Sequence, residues 1–185
     1  MADLVTDIQF IVRPMQMNDL EQVSIIDRAS FSLPWPASAF RYELLHNPSS
    51  LLYVAEAFLP GGKRLVVGSI VVWMILDEAH IATIAVEPEF RGKGVSQELL
   101  ATVLMDAIHK GARLATLEVR AHNVIAQSLY QHFGFIVVGR RPRYYRDNNE
   151  DALIMTVNLQ QVDDHDLFYS DWIGNRDWLT DHWRI

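Results

Sequence analysis

Two cations and two glycines stand directly before a helical pattern in "EPEFRGKGVSQELL" (87–100), at Arg91, Gly92, Lys93 and Gly94. The start of a helix has backbone N–H groups without intrahelical partners and carries partial positive charge, so it attracts phosphate oxygens. Glycines let the backbone approach a ligand closely, and the cations add charge. Neither the P-loop spacing nor the dinucleotide fingerprint is present, which argues against ATP and NAD. The segment predicts a different diphosphate site, or a plain loop-to-helix turn.

The composition excludes several kinds of chemistry. The chain has 185 residues, half of them hydrophobic, which suffices for one well-buried core, and it contains no cysteine. A disulfide framework, a thiolate metal site and a cysteine nucleophile are therefore excluded. The seven histidines form no H-x-x-x-H or H-E-x-x-H pair, and no serine lies in G-x-S-x-G. We therefore predict neither a metal site nor a serine hydrolase.

Charge and hydropathy indicate the compartment and the partners. The first residues, "MADLVTDIQF", have no basic region like that of a secretory signal, and no apolar run is long enough to span a bilayer. We expect a cytoplasmic protein without membrane contact. The net charge of −7 argues against direct binding of nucleic acid. Residues 91–146 hold nine basic against three acidic side chains, and they could bind a compact anion or form a solvated basic face.

Hydrophobic periodicity predicts the elements that must position the glycine segment. Their order is β-α-α-β-β-β-α-β-α-β-β, with strand-to-helix passages after residues 86 and 121, which predicts a mixed α/β layer protein. Asn18 or Asp19 could cap the first helix, and Gly111 could end the third. The predicted strands cover residues 8–14, 50–58, 64–76, 79–88, 114–121, 135–145 and 151–159, and the other predicted helices include 17–31, 37–47 and 123–133.

The stretch "TIAVEPEFRGKGVSQELL" resembles the acetyl-CoA segment of the GCN5-related N-acetyltransferase (GNAT) superfamily. Within that superfamily, "LDEAHIATIAV", "LEVRAHNVIAQSLYQHFGF", "RRPRYY" and "EDALIM" are similar to the RimI-type ribosomal-protein alanine N-acetyltransferases. These pieces cover most of residues 8–158. The resemblance implies a GNAT domain over residues 1–159, with a central, mostly antiparallel mixed sheet and helices on both faces. Residues 160–185 would form an acidic, tryptophan-containing tail that packs on the domain, mediates dimer contacts or covers the substrate groove.

The resemblance also implies acetyl-CoA as co-substrate and no metal. The backbone of Ile84, Ala85 and Val86 would pair with the pantetheine arm and polarise the thioester. Arg91 occupies the basic first position of the motif, and residues 92–97 would wrap the pyrophosphate. This coenzyme loop consists of Gly92, Lys93, Gly94, Val95, Ser96 and Gln97.

Two of the predicted coenzyme-binding residues are less certain matches to the family, one because its residue type differs and one because it has a second possible role. Ser96 replaces the family's usual glycine or alanine, which puts the tightness of that turn in question. Asn123 matches a coenzyme contact in the family, but it could equally be a plain N-cap of the following helix.

The family match gives chemical roles to Glu118 and Tyr130. Glu118 matches the proton acceptor, since a carboxylate can take the proton of an amine directly or through one water. Tyr130 matches the general acid, because the ordinary pKa values of a phenol and a thiol, about 10 and 8.5, lie close together. On the residues alone, Glu118 could instead pair with Arg120 at the surface, and Tyr130 could be an ordinary half-buried aromatic.

The acceptor that best suits one modest base is a peptide α-amine. With an ordinary pKa of about 8, an α-amine needs roughly 1 kcal/mol to be neutral at pH 7, whereas a lysine near 10.4 needs about 4–5 kcal/mol. The resemblance implies the N-terminal alanine of ribosomal protein S18. Trp35, Tyr144 and Tyr145 are candidate walls of a restricted pocket, or ordinary packing residues.

Other functions stay open at this point. The same apparatus could acetylate a small amine or a broader range of protein N-termini, and a non-catalytic acetyl-CoA-binding partner protein would share the loop. The presence of both Glu118 and Tyr130 argues against the non-catalytic alternative. The sequence leaves the oligomeric state open between a monomer and a weak dimer.

Overall fold

The computed structural model describes residues 9–161, so the predicted acidic tail lies almost entirely outside the described residues. The order of helices and strands is the predicted one. The strands are β1 (Phe10–Pro14), β2 (Ser50–Phe58), β3 (Arg64–Ile75), β4 (Glu78–Val86), β5 (Leu114–Arg120), β6 (Ile136–Tyr145) and β7 (Glu150–Asn158). The helices are α1 (Leu20–Ser30), α2 (Ala37–His46), α3 (Val95–His109) and α4 (Val124–His132).

The entry into α1 differs from the prediction. Residues 17–19 form a short 3₁₀ turn, and the Asp19 side chain makes no cap hydrogen bond to α1. Its carboxylate accepts a hydrogen bond from the backbone N–H of Gln16 at 2.7 Å and pairs with Arg13 at 2.7 Å. Asp19 is therefore the N-cap residue of α1, as predicted, but its side chain is bound to the turn and to β1 instead of capping the helix.

The strands form one seven-stranded sheet in the order β1-β2-β3-β4-β5-β7-β6, antiparallel except for the pair β4–β5. Buried side chains of α3 and α4 pack on one face of the sheet, and those of α1 and α2 pack on the other. The predicted mixed sheet with helices on both faces is confirmed. Within residues 9–161, no helix combines the length and apolar character that crossing a bilayer requires.

The parallel pair β4–β5 separates partway along its length. Its register runs from Glu78 opposite Leu114 to Ile81 opposite Leu117 and stops there. Beyond that point β4 continues beside β3, and β5 continues beside β7. A register shift between Val71 and Val72 of β3 leaves one extra residue in β4 at the same level, which bends the strand. The sheet therefore contains a split that is open toward the ends of β4 and β5.

The start of α3 is packed closely over the end of β4. A Cβ atom at Gly68 of β3 would lie 3.0 Å from Leu99 Cδ1 and 3.0 Å from Val95 Cγ1. A larger residue at Gly68 would push the helix away from the sheet. Gly68 thus helps to hold the helix entrance beside the split.

Candidate active site

The predicted coenzyme loop makes a sharp backbone turn that leads directly into α3. After a 3₁₀ turn at Pro88–Phe90, Gly92 and Gly94 take positive φ angles of 71° and 84°. Gly94 is the N-cap of α3, and no side chain caps that helix. The N–H groups of the first turn are therefore left for a ligand or for solvent, and glycine is needed at both positions for conformational reasons.

Arg91 has a structural role in this loop. Its Nε donates a hydrogen bond to the backbone oxygen of Val86 at 3.0 Å, and its Nη2 donates to Ser30 Oγ at 3.2 Å. The side chain thus ties the loop to the end of β4 and to α1. Lys93 lies over the Phe90 ring, with Nζ 5.2 Å from the ring centroid.

The other predicted coenzyme residues lie around the same entrance. Val95 is buried at the first position of α3, and Ser96 and Gln97 follow in its first turn. Ile84, Ala85 and Val86 form the end of β4, beyond the last residue that pairs with β5.

Asn123 is a helix cap. Its Oδ1 accepts a hydrogen bond from the backbone N–H of Ala126 at 3.2 Å, and α4 begins at the next residue, Val124. The capping role that the sequence left open is therefore observed, and it starts α4 close to the end of β5.

Glu118 is the first residue of β5 beyond its pairing with β4, so its position is at the split. His80 Nε2 lies 3.3 Å from Glu118 Oε2, and Arg141 Nη2 lies 3.0 Å from Glu118 Oε1. The Glu118 side chain is only 11% exposed. Its two oxygens are thus in contact with cationic or titratable groups from two different strands.

The alternative pairing of Glu118 with Arg120 is not found. Arg120 Nη2 pairs with Asp147 at 2.8 Å and donates to Ser32 Oγ at 3.2 Å, and Nη1 pairs with Glu150 at 3.2 Å. Arg120 therefore joins the β6–β7 turn to the segment between α1 and α2.

Tyr130 is buried in α4 against Phe135, with ring centroids 5.8 Å apart. Burial raises the pKa of the Tyr130 phenol, and the Tyr145 phenol raises it further. Tyr130 therefore stays protonated at neutral pH and has a proton to donate. It is a weaker acid than the ordinary pKa of about 10 suggests.

Tyr145 lies beside Glu118. Its hydroxyl donates to the backbone oxygen of Glu118 at 3.5 Å, and the Arg120 guanidinium lies over its ring at 4.0 Å. Burial raises the pKa of Tyr145 to about 12. Tyr144 meets the Tyr145 ring edge-on at 5.2 Å and is 44% exposed. Tyr145 is therefore in contact with the Glu118 backbone, and Tyr144 reaches it through the Tyr145 ring.

Trp35 belongs to an aromatic stack. Its ring packs on Phe40 at 5.2 Å and stacks on Trp73 at 5.9 Å, and Trp73 stacks in turn on His80 at 5.8 Å. Trp35 is thus connected to Glu118 through two intervening rings.

Two arginines of the basic segment 91–146 are engaged by acids within the fold. Arg140 pairs with Asp151 at 2.6 Å, and Arg120 pairs with two other acids of residues 147–151. These acids directly follow the segment in the chain, so counting charges up to residue 146 overlooked them. The expectation of a compact anion is therefore limited to the coenzyme loop.

One acid of the β6–β7 turn is strongly stabilised as a carboxylate. Glu150 accepts hydrogen bonds from the backbone N–H of His122 at 2.8 Å, from Asn148 at 3.2 Å and from Arg120 at 3.2 Å. The His122 backbone N–H and these side-chain donors lower the pKa of Glu150 from 4.5 to about 2. The turn therefore depends on the ionised form of Glu150.

Sequence reasoning did not predict the contacts of His80 and Arg141 with Glu118. In the sequence, His80 is a single histidine in a strand and Arg141 is one of several arginines, so neither carries a signal that points to Glu118. Only the pairing of β4 with β5, and of β6 with β7, brings them to Glu118. Among residues 9–161, no cluster of three or more histidine, aspartate or glutamate side chains could hold a metal ion.

The fold and the site together define a class of protein. A glycine-lined helix entrance lies on one side of a split sheet, and a carboxylate and a buried phenol lie on the other. Such an arrangement is suited to an enzyme that binds a phosphate-bearing ligand at the helix entrance and moves protons with the carboxylate and the phenol.

Comparisons with known proteins identify the family. The acetyltransferase (GNAT) family model matches residues 20–135. A Bacillus subtilis (strain 168) protein with the provisional name ribosomal protein bS18-alanine N-acetyltransferase is 38% identical, over 81% of this chain and 96% of that protein. The crystal structure of the ribosomal-protein-S18-alanine N-acetyltransferase from Escherichia coli gives a TM-score of 0.72 at 25% identity, covering 86% of this chain and 100% of that one. The NatC complex bound to Gag peptide and CoA gives a TM-score of 0.73 at 25% identity, covering 82% of this chain and 99% of that one.

The chain belongs to the acetyltransferase (GNAT) family and is an N-acetyltransferase. Enzymes of this family use acetyl-CoA as the acetyl donor.

Proposed function

We propose that this enzyme acetylates the α-amine of a protein N-terminus, and that its substrate is the N-terminal alanine of ribosomal protein S18. The observation that carries the proposal is the position of Glu118 at the split, nearly buried and one residue beyond the last pair of β4 and β5. A base at this point could reach an amine brought to a donor that lies in the split.

The residues of the helix entrance fit the coenzyme. Acetyl-CoA, when bound, supplies a thioester as the acetyl donor. Gly92 and Gly94 turn the backbone so that the N–H groups at the start of α3 are available to the pyrophosphate oxygens. The end of β4, at residues 84–86, has a strand partner on one side only among the described residues, so its backbone could pair with the amides of the pantetheine arm.

Glu118 would accept one proton from the amine. The α-amine is the acceptor that a single carboxylate serves best, because neutralising it at pH 7 requires roughly 1 kcal/mol rather than the 4–5 kcal/mol of a lysine. The neutral amine nitrogen then bonds to the acetyl carbon, the carbon–sulfur bond breaks, and the nitrogen releases its second proton to solvent as the amide forms.

Tyr130 would return one proton to the departing thiolate. Its raised pKa keeps the hydroxyl protonated until that moment. The same shift makes the transfer less favourable than the ordinary pKa values of about 10 and 8.5 suggest, so we expect Tyr130 to contribute less than Glu118.

Two observations support a peptide whose first residue is small. The Tyr145 hydroxyl contacts the Glu118 backbone and Tyr144 packs on the Tyr145 ring, so the two rings could restrict the room around the reacting amine. The relatives from B. subtilis and E. coli are both named as alanine N-acetyltransferases of ribosomal protein S18. Reaction with a ribosomal protein would take place in the cytoplasm.

Peptide turnover tests the proposal. The purified full chain is given acetyl-CoA and short peptides that begin with alanine, glycine, serine or methionine, and free thiol is measured. We expect alanine-first peptides to have the highest kcat/KM, and mass spectrometry of cellular N-termini to show unacetylated S18 when the chain is absent. Preference for a small polyamine over all four peptides would contradict a protein substrate. Acetyl-CoA binding without turnover of any amine would indicate a non-catalytic partner.

A further inference from the structure

The two carboxylate oxygens of Glu118 are held in different ways. Oε2 lies 3.3 Å from Nε2 of His80, whose side chain is 22% exposed. Oε1 lies 3.0 Å from Nη2 of Arg141, whose side chain is 53% exposed. A general base needs one oxygen that is fixed in direction and one that becomes available to the substrate.

The His80 ring is fixed by a series of contacts that reaches the α2 side of the sheet. It stacks on Trp73 with ring planes 10° apart and centroids 5.8 Å apart. The Trp73 ring is held by stacking on Trp35 at 5.9 Å and by its Nε1–H, which donates to Glu43 Oε2 at 3.1 Å. The direction of His80 Nε2 is therefore set by packed rings, whose rearrangement would disturb the core beneath α1 and α2.

The contact between Arg141 and Glu118 Oε1 is, in contrast, exposed and easily broken. An ion pair with one largely exposed partner contributes only about 0–1 kcal/mol, because solvent competes for the cation. Arg141 also lies over the exposed Tyr144 ring, 5.5 Å from its centroid, so the guanidinium has a second contact besides Glu118. Arg141 can therefore leave Oε1 at little cost.

We propose that His80 is a positioning residue for Glu118, which it fixes through Oε2 so that Oε1 is the oxygen that receives the proton of the amine. In this step the amine N–H bond breaks and an O–H bond forms at Oε1, while His80 Nε2 stays beside Oε2. The inference rests on the proposed role of Glu118 as base. In this proposal the aromatic stack, including Trp35, supports catalysis by holding His80, and Trp35 does not serve as a wall of the substrate pocket.

Two substitutions separate positioning from packing. His80→Phe keeps a ring on Trp73 and removes the nitrogen, whereas His80→Gln keeps a side-chain N–H donor and removes the ring. We expect His80→Phe to lower kcat about tenfold, as a small misplacement of a catalytic group does. We expect His80→Gln to recover most of this loss, and both variants to keep the KM for acetyl-CoA and the far-UV circular dichroism spectrum of the wild type.

A purely structural role predicts the reverse order. Wild-type kcat in His80→Phe, with the loss confined to His80→Gln, would overturn the proposal. An equal loss in both variants would also overturn it, since the donor nitrogen would then have no effect.

The double variant with Glu118→Gln separates the two proposals. If Glu118 is the base, Glu118→Gln is nearly inactive, and adding His80→Phe lowers kcat no further. A further tenfold loss in the double variant would mean that His80 acts independently of Glu118, and the positioning proposal would fail alone. Full activity of Glu118→Gln would instead reject Glu118 as the base.

Discussion

The two ends of the candidate site are built from different parts of the chain. The coenzyme end uses the backbone of one continuous stretch, in which Gly92 and Gly94 shape the entrance to α3. The acceptor end uses side chains from separate elements, with Glu118 on β5 in contact with His80 of β4 and Arg141 of β6. Backbone geometry is encoded locally, whereas a group of side chains depends on which strands are neighbours. Substitutions at the two ends should therefore change different kinetic quantities.

The largest expected effect is at the acceptor end. Glu118→Gln keeps the size of the side chain and removes the base, so we expect kcat to fall about 100-fold or more while acetyl-CoA binding by calorimetry stays unchanged. Glu56→Gln, at another partly buried carboxylate that pairs with Arg13, is the matched control and should keep wild-type kcat. Loss of coenzyme binding in Glu118→Gln would contradict the separation of the two ends.

The second effect concerns the proton donor. Tyr130→Phe keeps the buried ring beside Phe135 and removes the hydroxyl, so we expect kcat to fall between about 10- and 100-fold. Tyr53→Phe removes another buried hydroxyl, which donates to Asp106 at 2.9 Å, and it should lower stability without lowering kcat. Because burial raises the pKa of Tyr130, its ionisation should cause no loss of rate from neutral pH up to about pH 10. A rate that falls with ionisation of Tyr130 below that pH would argue against the buried phenol as donor.

The third effect isolates the coenzyme end. Gly94→Ala forces a side chain into a backbone with φ of 84°, which costs about 1–2 kcal/mol and should raise the KM for acetyl-CoA about tenfold with little change in the KM for peptide. Gly111→Ala has the same kind of cost, since its φ is 93°, but it lies at the far end of α3. Both variants should melt at lower temperature, and only the first should bind the coenzyme more weakly. Equal coenzyme binding in the two would mean that the entrance does not contact the ligand.

The smallest effect is a pH dependence of stability at the acceptor end. The pKa of Glu150 is lowered from 4.5 to about 2 in the folded protein, so its contribution to stability is complete above about pH 4.5 and is lost as the pH falls through about 2. Glu150→Gln should therefore flatten the dependence of melting temperature on pH within this window. Glu89→Gln, at an exposed acid of the coenzyme end, is the control. If the melting temperature of Glu150→Gln falls with acid as much as that of the wild type, Glu150 is not the group responsible for this pH dependence.

The same contrast explains what the sequence could predict. The order of elements and the loop at 92–97 follow from periodicity, glycine and proline, which act over a few residues. The partners of Arg120 could not be predicted, because Asp147 and Glu150 reach it only through the pairing of β5 with β7. The sequence left Trp35 open between a pocket wall and a packing residue, because its neighbours are set by the packing of α1 and α2 on the sheet.

The split between β4 and β5 also bears on how firmly the two parts of the sheet are joined. Four strands, β1 to β4, form one antiparallel part, and β5, β7 and β6 form the other. Within residues 9–161, the strands of the two parts pair through the short parallel ladder of Glu78–Ile81 with Leu114–Leu117, which the backbone oxygen of Asp77 extends, and α3 crosses from one part to the other. A molecule that pairs with the free edge of β4 would fasten the parts together, and at 100 times its Kd it would add about 2.7 kcal/mol to the free energy of unfolding. The donor substrate would then act as a structural component of the sheet for as long as it is bound.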